Sequence, residues 1–205
     1  MSKENKTKFA ILGILSLAPM SGYDIKKVTD NSIAHFWNEN FGHLYPVLGK
    51  LESEGLITGQ TLSTSGRPDR SVYTLTDPGR QALADWLLRD PEEQPIRIEL
   101  LLQVFFAKSV PLTVVIEKVK KEMVLHKHRL AVYDTIEQHL REGDAHPGQG
   151  DVPFWLMTLS FGKHRSRATV AWCRETIETL LRMQSAPGGR PPDEGPGGFT
   201  PHHDL

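Results

Sequence analysis

One cysteine in 205 residues, Cys173, leaves nothing from which to build an internal disulfide or a cysteine-cluster zinc site. That scarcity fits a reducing compartment, and the expectation is a cytoplasmic protein. An excess of either charge is equally lacking: 24 Lys and Arg stand against 25 Asp and Glu, a net charge of −1. The balance is nine basic to eight acidic residues over 1–80, and 15 to 17 over 81–205. With no general basic field, any nucleic-acid binding must rest on a few locally placed cations, doubled in a dimer. No stretch approaches the roughly 20 apolar residues that span a bilayer. The amino-terminal MSKENKTKFAILGILSL sets charge before an apolar run, as a signal peptide would. That run is short, breaks at Pro19 and has no small-residue cleavage site after it, so membrane roles are excluded on this reading.

Catalytic and metal-binding patterns are missing too. The glycines cluster in the stretch that reads as a wing and in the tail, and none forms a phosphate-cradling turn. Cys173 lies on an apolar helical stripe and reads as a buried thiol rather than a nucleophile. Glu122, His126 and His128 match no tight ligand spacing and read as a polar interruption of a helical seam. The expectation is a protein that is not an enzyme, with no cofactor and no metal.

What is present centres on residues 41–77. In FGHLYPVLGKLESEGLI, Leu44, Val47, Leu48 and Leu51 recur at helical spacing, while His43, Pro46, Lys50 and Ser53 fall on the opposite side. Gly55 sits where a helix stops. LITGQTLS and RSVYTLT then read as two short strands joined by a Gly/Pro loop with Arg67 and Arg70 at its tip. A two-faced helix followed by a hairpin with a basic tip is the layout of a winged helix-turn-helix. Its helix enters a DNA major groove and its wing lies on the backbone or in the minor groove.

Around this centre, helix one covers about Thr7 to Leu17. Its Phe9, Ile11, Leu12, Ile14 and Leu15 occupy nearly all sides, which calls for burial all round by a second element or a second subunit. Ser21 with Asp24 predicts a capped second helix from Gly22 to about Asp30, carrying Lys26 and Lys27 as exposed candidates for phosphate contact. Ile33, Phe36 and Trp37 can pack under the turn that follows, and Asn38 or Asn40 can cap the third helix. Regular hydrogen bonding of that helix is expected from about Gly42. Gly49 in its interior costs about 0.5–1 kcal/mol relative to alanine, which points to close approach of another surface. Tyr45 is balanced between partial burial beside Leu48 and contact with phosphate. Downstream, a helix from Pro78 to Arg89 carries Leu83, Trp86 and Leu87 as one stripe. A further apolar helix runs from about Ile96. After Pro111 a long helix reaches about Glu142 with a coiled-coil-like stripe through Ile116, Val119, Met123, His126, Leu130, Tyr133 and Leu140. Pro153 opens the last helix, to about Met183, with Trp155, Leu159, Ser166, Cys173 and Leu180 on one side. Phe154, Phe161, Trp172 and Leu181 lie on further faces, a surplus that predicts a second chain as partner.

HLYPVLGKLESEGLI followed by GRPDRSVYTLTDPGRQAL resembles the signature of the PadR family of transcriptional regulators. There a tyrosine-proline pair opens the recognition helix and a Gly-Arg-Pro sits in the wing. The resemblance extends through SGYDIKK upstream and more weakly through LMTLSFGKHRSRATVAWCRETIETLL downstream. Gly49 and Asp69 depart from the family pattern, the first by removing a charged or polar side chain, the second by setting a negative charge between the wing arginines.

The fold implied is mainly α with a small β-hairpin wing: a winged helix-turn-helix over 1–90, an antiparallel helical dimerisation domain over 91–184, and a disordered Pro/Gly-rich tail over 185–205. The function implied is that of a homodimeric regulator, a repressor that binds an inverted-repeat operator in double-stranded DNA and is relieved by a small aromatic or lipophilic effector. Ser21, Tyr23, Lys26, Lys27, His43, Tyr45, Lys50, Arg67 and Arg70 are the candidate DNA-binding residues, and Trp155, Phe161 and Trp172 the candidate effector-binding ones. The alternative is a winged-helix interaction module without specific DNA binding.

Overall fold

The computed structural model describes residues 6–37, 44–62, 70–93, 95–143 and 149–185. His43, Arg67, Asp69, the two candidate capping asparagines Asn38 and Asn40, and the tail over 186–205 lie outside them. The chain divides into two compact units, Met1–Pro95 with Glu137–Gly162, and Ile96–Ile136 with Lys163–Leu205.

In the first unit, α1 (Thr7–Leu17) ends at Ala18, which is extended because Pro19 follows it. Phe9, Ile11, Leu12, Ile14 and Leu15 are all buried within the chain. The side of α1 that a second subunit could have covered is taken by α4 (Asp77–Leu87), whose Trp86 stacks on Phe9 at 4.7 Å and 8°. Of the two partners the sequence leaves open for helix one, a second element rather than a second subunit covers it. β1 (Met20–Ser21) runs into α2 (Gly22–Asn31), and Ser21 serves both elements. Its hydroxyl accepts from the Asp24 backbone N–H, and the Asp24 carboxylate accepts from the Ser21 backbone N–H, which closes a capping box. A 3₁₀ turn at Ile33–His35 follows. Ile33 packs on the core, but Phe36 is half exposed rather than tucked beneath the turn.

Helix α3 (Leu44–Ser53) stops where the sequence predicts it. Gly55 adopts φ +71°, its N–H bonds the Glu52 carbonyl at 3.0 Å, and the Leu56 N–H bonds the Leu51 carbonyl at 2.9 Å. This is a Schellman closure, and Leu56 packs against the core that holds Leu51. β2 (Ile57–Leu62) and β3 (Arg70–Leu75) form the wing hairpin in a register pairing Ile57 with Leu75 and Leu62 with Arg70. β1 pairs with the other edge of β3, so the sheet has three strands in the order β1-β3-β2. The third strand is only two residues long and leaves no legible sequence pattern.

Thr76 joins three elements. Its hydroxyl accepts from the Gly79 N–H at 3.1 Å to cap α4 and donates to the Gly55 carbonyl at 2.7 Å, while its own N–H reaches the Leu56 carbonyl at 3.2 Å. Gly79 is packed so closely that a Cβ there would lie 2.0 Å from the Leu56 carbonyl oxygen. α4 ends two residues before Arg89, and Leu87 points to solvent instead of joining the stripe of Leu83 and Trp86.

In the second unit, α5 (Glu99–Phe105) starts three residues later than the apolar run, because Ile98 is extended and acts as its N-cap. α6 (Leu112–Glu142) and α7 (Val152–Ser185) are the two long helices, of which residues 112–136 and 163–185 belong to this unit. The coiled-coil-like stripe appears as predicted at Ile116, Val119, His126 and Tyr133, all buried. Val115, Ile116, Val119, Cys173 and Leu180 make the core of this unit, with Met123, Trp172 and Ile177 packed on it. α5 leaves Leu101, Leu102 and Phe105 exposed, and its C-cap Phe106 is exposed as well.

Candidate nucleic-acid interface

The candidate interface is built by α2, α3 and the root of the wing. α3 buries Leu44, Leu48 and Leu51 and turns Tyr45, Pro46, Gly49, Lys50 and Ser53 outward, the two-faced helix that its spacing implies. Tyr45 is 66% exposed, which resolves its balance in favour of the surface. The ring still rests on the start of α2: a Cβ at Gly22 would come within 2.9 Å of Tyr45 Cε1. Tyr23, 72% exposed, begins the neighbouring helix. Among the described residues, and apart from the backbone of α3 itself, nothing comes within 4 Å of a Cβ built at Gly49, so any surface that needs this glycine lies outside them.

The cations are less free than the sequence alone implies. Lys26 donates to Asp30 at 2.7 Å and Lys50 lies 3.7 Å from Glu54, each pair one helical turn apart and exposed. Such pairs are weak and exchange readily for phosphate. Lys27 is exposed on α2. Arg70 begins β3 rather than sitting at the loop tip, and its guanidinium pairs with the Asp24 carboxylate. Burial alone would raise the Asp24 carboxyl, but the hydrogen bonds from Ser21 and the charge of Arg70 outweigh it and hold it below the usual value. Ser21 is 4% exposed and its hydroxyl is used in the capping box, so the structure places it behind the interface rather than on it.

Sequence reasoning passed over Glu52. Its carboxylate accepts from the Gly59 N–H on β2 at 2.8 Å, tying the outer side of α3 to the wing. A Cβ at Gly59 would fall 2.6 Å from Glu52 Oε1 and 3.2 Å from Tyr73 Cε1. Glycine inside a strand pattern was the available signal, since it marks close approach of another group. The Tyr73 phenol is raised, chiefly by burial and then by the neighbouring Glu52 carboxylate.

Away from this surface, the second unit holds a buried polar cluster. His126 Nδ1 meets Ser166 Oγ at 3.1 Å, His126 Nε2 meets Glu122 Oε1 at 3.1 Å, and Arg129 Nη1 approaches the same ring nitrogen at 3.3 Å. Burial pushes the imidazole below its ordinary value; Arg129 and Arg165 add to this, and Glu122 opposes it. Burial likewise raises the Cys173 thiol, with the charge of Glu122 acting in the same direction. Among the described residues no group of three His, Cys, Asp or Glu is placed to hold a metal ion, and no helix is long and apolar enough to cross a membrane. Of the candidate effector residues, Trp155 is half-buried and Phe161 is exposed, both in the first unit, while Trp172 packs on the core of the second.

The family described as "Transcriptional regulator PadR-like family" matches residues 11–85, and "Virulence activator alpha C-term" matches residues 96–180. The "Negative transcriptional regulator PadR" of Bacillus subtilis (strain 168) is 39% identical over 179 residues, 86% of this chain and 96% of that protein. The crystal structure of Bacillus subtilis PadR in complex with operator DNA superposes with a TM-score of 0.76 and 27% identity, over 87% of this chain and 99% of that one. The same protein in complex with p-coumaric acid superposes with a TM-score of 0.68 and 27% identity, over 86% and 99%.

Proposed function

Since the chain belongs to the PadR family of transcriptional regulators, we propose that it is a homodimer that binds an inverted-repeat operator as a repressor and releases it on binding a small aromatic or lipophilic effector. The observation that carries this reading is the partition of α3, with Leu44, Leu48 and Leu51 inward and Tyr45 and Lys50 outward beside the exposed face of α2. Lys50 and His43 read base edges, Tyr23, Tyr45, Lys26 and Lys27 position the helix pair, and Arg67 lies on phosphate or in a narrow minor groove. The effector class is supported by the p-coumaric acid complex of the Bacillus subtilis relative. Dimerisation is supported by the exposed Leu101, Leu102 and Phe105 of α5 and Phe106 just after it, an apolar cluster of the kind that marks an interface.

Titrating wild type and variants against operator and scrambled duplexes at several salt concentrations tests the division of labour. Lys50→Ala or His43→Ala should each cost about 1–3 kcal/mol, mainly on the operator. Arg67→Ala should weaken binding to both duplexes and reduce the salt slope by about one. An unchanged specificity ratio in the helix variants, with specificity abolished by Arg67→Ala, would overturn the assignment. The near-neutral charge favours a second reading, an interaction module without specific DNA binding; equal affinity of the wild-type protein for both duplexes would select it.

A further inference from the structure

The ion pair between Asp24 and Arg70 differs from the others on this surface. Lys26–Asp30 and Lys50–Glu54 each join residues four apart in the chain and can open without moving a second element. Asp24 is committed: the same Oδ2 atom that meets Arg70 also accepts from the Ser21 hydroxyl at 2.9 Å and from the Ser21 N–H at 3.4 Å. Ser21 is in turn held in the sheet opposite Val72, two residues along β3 from Arg70 and on the same face of the strand. Arg70 pairs across the hairpin with Leu62, the outermost described pair before the wing loop. One carboxylate thus ties the first turn of α2 to the loop end of the wing strands. Half-exposed as it is, the pair contributes little to stability. Its effect is on placement and on charge, because a guanidinium at the loop end of the wing strands would otherwise reach any phosphate nearby.

We propose that Asp24 is a specificity-determining positioning residue: it holds Arg70 and the loop end of the wing strands against α2 and withholds that cation from indiscriminate contact with the DNA backbone. This rests on the DNA-binding reading above, and it takes Arg70 out of the set of phosphate contacts.

The test uses the full chain as wild type, Asp24→Asn, Arg70→Gln and the double variant, each titrated against operator and scrambled duplexes over a range of salt. Freeing Arg70 adds one phosphate contact per subunit. Asp24→Asn should therefore steepen the salt slope by about 0.9 per subunit and raise affinity for the scrambled duplex about eightfold per subunit at 0.1 M salt. The operator-to-scrambled ratio should fall. Arg70→Gln alone should leave the slope unchanged, and the double variant should return to the wild-type slope, a cancellation that general loosening of the fold would not produce. A flattened slope in Arg70→Gln, showing that Arg70 already meets phosphate, or an unchanged slope in Asp24→Asn that melts like wild type, overturns the proposal. If Asp24→Asn folds poorly, Arg70→Gln decides alone, since it leaves the capping box whole. Equal wild-type affinity for both duplexes would sink the operator reading instead, and the slopes on scrambled DNA would still decide the role of Asp24. A wild-type chain that binds neither duplex would overturn both.

Discussion

Gly79→Ala replaces a glycine near the start of a helix with the best helix former, a change that by propensity alone should stabilise by about 0.5–1 kcal/mol. The packing reverses the sign. The new Cβ would sit 2.0 Å from the Leu56 carbonyl oxygen and 2.8 Å from Leu75 Cδ1, where real Cβ atoms essentially never come closer than 3.0 Å. Relief requires a backbone shift of about 1 Å, and Leu56 is backbone that already accepts from the Thr76 N–H, the residue that caps α4 and holds the Gly55 carbonyl. Overpacking of this kind costs about 1–3 kcal/mol. One strained hydrogen bond adds about 0.5–1.5 kcal/mol. Set against the propensity gain, a net loss of about 2 kcal/mol is expected, or about 4–8 °C in melting temperature for a chain of this size. The control is Gly49→Ala, the same substitution in a helix interior where a Cβ meets nothing within 4 Å. It should raise the melting temperature by about 2 °C while weakening operator binding if α3 approaches DNA closely. Thermal unfolding followed by helical circular dichroism measures both. A Gly79→Ala protein as stable as wild type would refute the reasoning, because the turn would then have the slack that the contacts deny.

The remaining predictions follow from burial. The folded-state value of His126 lies below its ordinary 6.5, so its contribution to stability is complete above pH 6.5 and is lost as the pH falls through the folded-state value. Urea midpoints should therefore drop between about pH 7.5 and 5 more steeply in wild type than in His126→Gln, and parallel profiles would show that His126 is not the group responsible. Trp86→Ala removes the ring stacked on Phe9 and should cost about 3 kcal/mol in the same assay, the lower end for a buried aromatic because Trp86 is only partly covered. Replacing Leu102 and Phe105 by glutamine should leave the helical signal intact and shift sedimentation from dimer to monomer; an unchanged dimer would move the interface away from α5.

Periodicity and end signals carried most of the architecture. α1, α3 and the two wing strands begin or end where a proline, the positive-φ Gly55 or the alternation of Val72 to Leu75 places them. The buried stripe of α6 was legible down to its polar member, His126, because a single face at 3.5-residue spacing has little alternative. What was not legible depends on contacts remote in sequence. The partner of α1 was open between another element and another subunit, and the stacking of Trp86 on Phe9 decides it. β1 was invisible because two residues carry no alternation. At the candidate site, residue type and helical phase found Tyr45, Lys50 and Lys26, all exposed. They could not show that Arg70 is engaged by Asp24, nor that Glu52 caps Gly59, since both pairings need the wing folded back on the helices. The start of α5 at Glu99 rather than Ile96 reflects a backbone choice at Ile98 that an apolar run does not encode.

The strand at Met20–Ser21 bears on the order in which the protein can be made. Met20 finds its partner only at Tyr73, and Phe9 finds its stacking ring only at Trp86. During synthesis, then, the first helices leave the ribosome with their apolar sides uncovered and wait until α4 has emerged before the unit can close. Contacts so distant along the chain slow the closing step. The interval exposes α1, apolar on nearly every side, to the aggregation that meets unfinished cores. Ser21 stands at the junction of strand and helix, so the sheet and the cap of α2 are completed in the same late event. A nascent chain stalled before Trp86 should accordingly be digested by protease along its whole length, and one stalled beyond α4 should be protected as a block.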